Sequence, residues 1–341
     1  MIACFLYVFS GCSEDKHEMP VRPVVPVTPD VPADEGPDYL VMFYALGGGD
    51  LDSYILANIY QALDEGSTDK VKMTFEYKLS ANQQDEYPGF DGTRRFSCDE
   101  NTGLVGTFSK QSASYSQLDE PGQAFLIENL HSERVGDASY NMTSSQGLAD
   151  FIAWSKNKYP EAKRTLLILS SHGYGWTFFQ DGRKDTRGIL LDDINKEYLS
   201  LDDVVNGISQ SGGVDLLYTD ACLMSMYENV YGYADCCKYL ITSMETTPGS
   251  GGNYIKLLSL LKEADSTEPS LVNAMRDYCD FCVSEDWWNT TANANRYRDI
   301  GFYDLSISKP HKNMPYMTFS ISDSKQLKLR TDMLCNNESN A

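Results

Sequence analysis

The 341-residue chain lacks any apolar run long enough to span a bilayer as a helix. Its apolar opening, Met1 to Ser10, is too short and reads as a processed leader. It also lacks a Lys/Arg cluster, and 28 basic residues against 49 acidic ones leave a formal charge of -21. Nucleic acid and anionic membrane surfaces are therefore poor partners, whereas a cationic substrate would be attracted. The same acidity serves solubility. Histidine is scarce, with only His17, His131, His172 and His311. The Gly-rich stretch "ALGGGDLD" lacks both the GxGxxG spacing and the Lys of a phosphate-binding loop, so a plain turn suffices. No internal repeat is present.

The nine cysteines are an odd number. Cys4 falls in the leader. Cys236-Cys237 and Cys279-x-x-Cys282 would be the material for a zinc site, but adjacent cysteines do not fit the usual knuckle. "SLVNAMRDYCDFCVSEDWW" reads as a helix that puts Cys279 and Cys282 on one buried face, so core cysteines are expected here rather than a metal site; Cys98 and Cys335 are the other two left.

The leader ends Phe9-Ser10-Gly11-Cys12. Small residues before a Cys after an apolar core resemble a bacterial lipoprotein signal, although no Lys or Arg precedes the run. The resemblance implies lipidation at Cys12 and export, as an outer-membrane lipoprotein facing the periplasm or the cell surface. An ordinary signal would give a secreted protein instead. Membrane contact would then run only through the lipid anchor. Residues 13–37 hold five prolines from Pro20 to Pro32, plus Pro37, and read as an extended tether. The expected division is a leader over 1–12, a tether over 13–37, a folded domain over 38–310, and a late strand with a polar tail over 311–341. The abrupt end at "LCNNESNA" leaves truncation open.

Within the domain, "DYLVMFYAL", "VKMTFEYKL", "RTLLILSS" and "VDLLYTD" are apolar runs of strand length. Helices are expected over about 53–63, 144–160, from Ser200, from about Met224, 254–262 and 270–285. Ser144 or Ser145 caps the second, and Ser200 with Asp203 forms a capping-box pattern on the third. "KYLITS", "GFYDLS" and "PYMTFSIS" supply late strands. Alternating strands and helices predict a mainly parallel sheet with helices on both faces. Reactive groups of such sheets gather beyond the carboxyl ends of the strands.

Two strands end in reactive residues. "LLILSSHGYGW" places His172 just past one, and "VDLLYTDACLMSMYE" places Cys222 just past the other, 50 residues on. That gap accommodates one helical crossover and a loop, so the strands can be neighbours. Imidazole and thiol would then meet, with a helix start after Cys222 as a second influence favouring thiolate. Gly173 leaves its N–H unobstructed, and the Cys222 N–H would be a second donor to an oxyanion. This is the constellation of acyl transfer, with Cys as nucleophile and His as acid/base. Each residue alone has a plainer reading, as a satisfied structural His or an inert thiol in a turn. Caspases show a comparable order, with Ala-Cys about 50 residues after the His.

Those segments, with "LVMFYALGGGDLD", "GILLDD", "LITSMETTPGSGGNY" and "GFYDLS", resemble the clostripain family of cysteine peptidases from about Leu40 to Ser306. The resemblance implies a caspase-like three-layer α/β/α sandwich and cleavage of protein or peptide substrates after Arg or Lys. It puts His172 in the base position and Cys222 in the nucleophile position. Asp220 takes the place of an acid lining the pocket for the residue before the cut bond; the plainer reading makes it a cap for the next helix. Glu245 is a second pocket candidate or a surface residue. Arg183, Lys184 and Arg187 occupy the loop between His and Cys, so self-cleavage is expected after Lys184 or Arg187, leaving two associated chains. The chemistry requires no metal. Calcium is left open as an aid, with Asp192 and Asp193 in "LLDDIN", although no full calcium loop is present. The competing reading is a catalytically silent surface lipoprotein of the same fold that binds peptide or polysaccharide.

Overall fold

The computed structural model describes residues 36–80, 92–98, 134–136, 139–175, 188–284, 299–305 and 316–319. Strand β1, Tyr39–Leu46, is buried at all eight positions. Odd residues from Tyr39 to Ala45 face one hydrophobic cluster and even residues from Leu40 to Leu46 face the other. A strand covered on both faces needs a continuous apolar run, and this one has it. Around it lie β2 (Val71–Lys78), β5 (Arg164–Ser170), β8 (Val214–Asp220) and β9 (Cys237–Thr242). These five strands are mutually parallel in the order β2-β1-β5-β8-β9. Antiparallel strands extend both edges. β3 (Thr93–Cys98) and β4 (Arg134–Gly136) follow β2, while β10 (Gly301–Asp304) and β11 (Tyr316–Phe319) follow β9. Thr93–Cys98 thus adds an antiparallel strand to the sheet edge at β2.

Helices α1 (Asp52–Glu65), α5 (Tyr254–Glu263) and α6 (Glu268–Val283) pack on one face. Helices α2 (Ser145–Lys158), α3 (Leu201–Gln210) and α4 (Tyr227–Tyr233) cover the other. The result is the expected α/β/α sandwich. Ser144 caps α2 by accepting the Gly147 N–H, and Ser200 caps α3 by accepting the Asp203 N–H, each at 3.1 Å. "ILLD" (β6, Ile189–Asp192) does not join the main sheet. It pairs with β7 (Glu197–Leu199) in a separate two-stranded ribbon. Among the described residues, no helix is long and apolar enough to cross a membrane.

One expectation is corrected. The helix after Cys222 starts at Tyr227, not Met224, and residues 222–225 form a turn between bends at 221 and 226, with Leu223 at φ 62°. The Cys222 thiol therefore does not sit at a helix start.

The buried cysteines lie on both faces of the sheet. Cys236 and Cys237 belong to the α2–α4 side, and Cys279 and Cys282 to the α1–α5–α6 side. The sheet separates the pairs, so they cannot share a zinc ion. Burial pushes the thiols of Cys237 and Cys279 well up and that of Cys282 up to about 12.

Candidate functional site

β5 and β8 are neighbours, and Ser170 pairs with Asp220 in their register. His172 and Cys222 each lie two residues beyond that matched pair. The two strand extensions touch: a Cβ on Gly173 would lie 2.4 Å from the Cys222 carbonyl oxygen and 3.0 Å from its nitrogen. Only a residue without a side chain allows that approach. The loop carrying His172 is also stitched to the ribbon. Leu190 donates its N–H to the His172 carbonyl at 3.0 Å, and Tyr174 donates to the Gly188 carbonyl at 3.1 Å. These bonds flank Gly173, which pairs with Ile189 in an isolated bridge, so they leave the Gly173 N–H itself unspent.

Cys222 differs from the other described cysteines. Cys98, Cys236, Cys237, Cys279 and Cys282 are buried, whereas Cys222 is half-buried. Its sulfur accepts the Thr247 N–H at 3.3 Å and lies 3.6 Å from the Thr247 hydroxyl. The sulfur also lies 3.9 Å from the Thr247 carbonyl, so one residue of the facing loop holds the thiol in place. This contact stands where a helix start was expected. The loop that brings Thr247 is fastened to the Cys222 turn, since Leu223 donates to the Glu245 carbonyl at 3.0 Å and Ser225 to the Ser243 carbonyl at 2.8 Å.

His172 is partly exposed, and its Nε2 lies 2.7 Å from Asp50 Oδ1, beyond the end of β1. At the "ALGGGDLD" turn the Asp52 carboxylate accepts the Ser80 N–H at 2.8 Å and the Ser80 hydroxyl, tying the start of α1 to the end of β2.

Asp220 is buried on the α1–α5–α6 side. Its Oδ2 accepts the Gly252 N–H at 3.0 Å and the Tyr254 hydroxyl at 2.5 Å. It does not cap α4, whose N-cap residue Met226 has no side-chain cap bond. Instead it draws the loop leading into α5 onto the end of β8. Burial, then the adjacent Asp220 charge, pushes the Tyr254 hydroxyl well up, so it remains a proton donor to that carboxylate. Glu245 is exposed at the same sheet edge, and its backbone holds Leu223.

Asp192 does not fit a calcium ligand. Its Oδ2 accepts Lys78 Nζ at 2.7 Å and Asn195 Nδ2 at 3.0 Å, and its Oδ1 accepts the N–H groups of Ile194 and Asn195. A buried ammonium and three further donors occupy the carboxylate that a cation would need. Among the described residues, no group of three or more His, Cys, Asp or Glu could hold a metal ion. Cys12, His17, His131, Lys184, Arg187 and His311 lie outside the described residues.

Sequence reasoning did not single out Asp50 or Thr247 as site residues. An acid straight after a glycine run at a strand end is a signal for the first. Thr247 carries none, because a threonine in a loop 25 residues on has no local pattern that ties it to the cysteine.

Residues 103–312 match the model of the clostripain family, peptidase C11. Clostripain from Hathewaya histolytica is 27% identical over 198 residues, covering 50% of this chain and 37% of that protein. A secreted C11 cysteine protease from Bacteroides thetaiotaomicron, solved with an irreversible peptide inhibitor, superposes with a TM-score of 0.55 at 15% identity. The alignment covers 79% of this chain and 66% of that one. An inactive zymogen C11 protease from Parabacteroides distasonis gives a TM-score of 0.50 at 17% identity, over 81% of this chain and 64% of that one. The chain thus spans about a third of the curated relative and just under two thirds of these structures. The structural likeness is one of fold, a caspase-like α/β sandwich.

Proposed function

This chain belongs to the clostripain family, and from that premise we propose that it is a cysteine endopeptidase cutting after Arg or Lys. The observation that carries the reading is the β5/β8 register, which pairs Ser170 with Asp220 and so lets the segments bearing His172 and Cys222 leave adjacent strand ends two residues on. Cys222 Sγ attacks the scissile carbonyl carbon as its proton passes to His172. The C–N bond breaks as that proton moves on to the leaving amine. Water then cleaves the thioester, returning a proton to sulfur. The N–H groups of Gly173 and Cys222 are the donors assigned to the developing oxyanion. Asp220 and Glu245 supply negative charge for a guanidinium or ammonium, with Asp220 set firmly by Gly252 and Tyr254.

The proposal extends to self-processing after Lys184 or Arg187, in the loop between the two catalytic residues. It extends also to export, with lipid at Cys12. The B. thetaiotaomicron protease is described as secreted, and the leader pattern of this chain agrees with leaving the cytoplasm. The rival reading, a silent binding scaffold, predicts no hydrolysis at all.

Fluorogenic peptides differing only in the residue before the cut, offered to wild type, Cys222→Ala and His172→Ala, test the proposal. Expected is cleavage confined to Arg and Lys peptides, lower in both variants by at least about a thousandfold. On a denaturing gel, wild type should run as two fragments and Cys222→Ala as one. Cleavage of all peptides alike would remove the specificity, and full activity in Cys222→Ala would remove the mechanism.

A further inference from the structure

The glycine turn after β1 reads in the sequence as a plain reversal, yet it delivers a carboxylate to the site. Asp50 Oδ1 lies 2.7 Å from His172 Nε2. An ionised carboxylate only accepts, so Nε2 carries the proton in this contact and Nδ1 is the nitrogen left for the cysteine. The turn is shaped to the ring. Gly48 has φ 54°, and a Cβ there would lie 3.1 Å from His172 Cδ2 and 2.9 Å from the Leu191 carbonyl oxygen. The turn is also held at both ends. Gly47 donates to the Lys78 carbonyl at 3.0 Å, Leu51 donates to the Gly47 carbonyl at 2.9 Å, and Asp52 is fastened to Ser80. Asp50 stands between these anchors, so its position is set by the fold although its side chain is 81% exposed.

We propose that Asp50 is a positioning residue for the peptidase reaction. Its carboxylate holds the His172 ring through Nε2 and fixes the tautomer that offers Nδ1 to the Cys222 thiol. Nδ1 takes the thiol proton and hands it to the leaving amine, while the Nε2 proton stays on the Asp50 contact throughout. The sequence run Gly-Gly-Gly-Asp thereby acquires a role: the glycines let the turn close over an imidazole, and the acid orients it. This inference rests on the reading of His172 and Cys222 as the reacting pair. An exposed ion pair adds little to stability. A purely structural role for Asp50 would therefore show as almost nothing, and an orienting role as lost turnover.

The test uses the full chain and the best substrate of the peptide panel. Asp50→Asn and Asp50→Ala are expected to lower kcat by about tenfold to a hundredfold, with KM within about twofold and the melting temperature unchanged. Asp50→Glu should recover part of the loss. Added formate should raise turnover of Asp50→Ala but not of His172→Ala. Wild-type kcat in both Asp50→Asn and Asp50→Ala, or a loss that neither Glu nor formate relieves, overturns the proposal. Wild-type turnover in His172→Ala or Cys222→Ala defeats the underlying pair and Asp50 with it, so the two failures are told apart.

Discussion

Asp299 shows how one buried carboxyl can bear on a site it does not touch. Its Oδ2 accepts the Met244 N–H at 2.6 Å, in the loop that carries Thr247 to the sulfur, and its Oδ1 has no partner among the described residues. Burial, and to a lesser degree the Glu245 charge, pushes its pKa up to about 6. An unfolded Asp titrates near 3.9. The folded state therefore binds the proton more tightly, so stability falls as pH rises from about 4 through 6 and the ionised group costs about 2–3 kcal/mol above that window. Asp299→Asn keeps an acceptor for Met244 and removes the charge. Relative to wild type, its stability should improve by about that amount between pH 4 and 7.5, read by chemical denaturation at a series of pH values. A difference that does not change with pH would contradict this. At this scale the sequence was partly legible. His172 and Cys222 stand out because each follows an apolar run. The Thr247 N–H and the Asp50 carboxylate arrive from loops whose paths depend on tertiary contacts such as Leu223 to Glu245.

Among the elements, the joined ends of β5 and β8 are the most demanding feature. Gly173→Ala would drive a methyl group into the Cys222 carbonyl, which is backbone and cannot swing aside. It should cost about 1–3 kcal/mol of stability and lower kcat/KM by at least about tenfold, measured by thermal melting and steady-state kinetics. Wild-type kinetics in this variant would show that the two extensions are not held so tightly. Strands and helices were largely readable from the sequence because their signals are local. β1 is an unbroken apolar run, and Ser144 and Ser200 are the caps their positions suggest. The start of α4 was misread because Leu-Met-Ser-Met continues a helical pattern, whereas Leu223 takes a left-handed conformation and postpones the helix. "ILLD" looks like one more sheet strand by composition. Its place in a separate ribbon depends on pairing with β7, which composition does not encode.

For the whole molecule, that ribbon is tied to the main sheet by a buried ion pair. Lys78 at the end of β2 reaches Asp192 at 2.7 Å, with both side chains at most 2% exposed, and also donates to the Tyr140 carbonyl at 2.9 Å. Removing one partner strands the other charge, so Lys78→Ala should destabilise the protein by about 3–5 kcal/mol. Denaturant titration checks this, and a change under about 1 kcal/mol would mean water already reaches the pair. The three-layer architecture was legible because strand and helix signals alternate; this cross-tie was not, since nothing local pairs Lys78 with a residue in "LLDD". The ladder between β5 and β8 has a consequence of its own. It works like a vernier, with notches one residue apart at about 3.3 Å, and the reactive pair is aligned by which notch is engaged. The covalent path from one strand to the other does not enter that setting. Linkers of other lengths, or new termini opened by circular permutation between residues 176 and 187, should leave the alignment intact as long as the strands find the same notch.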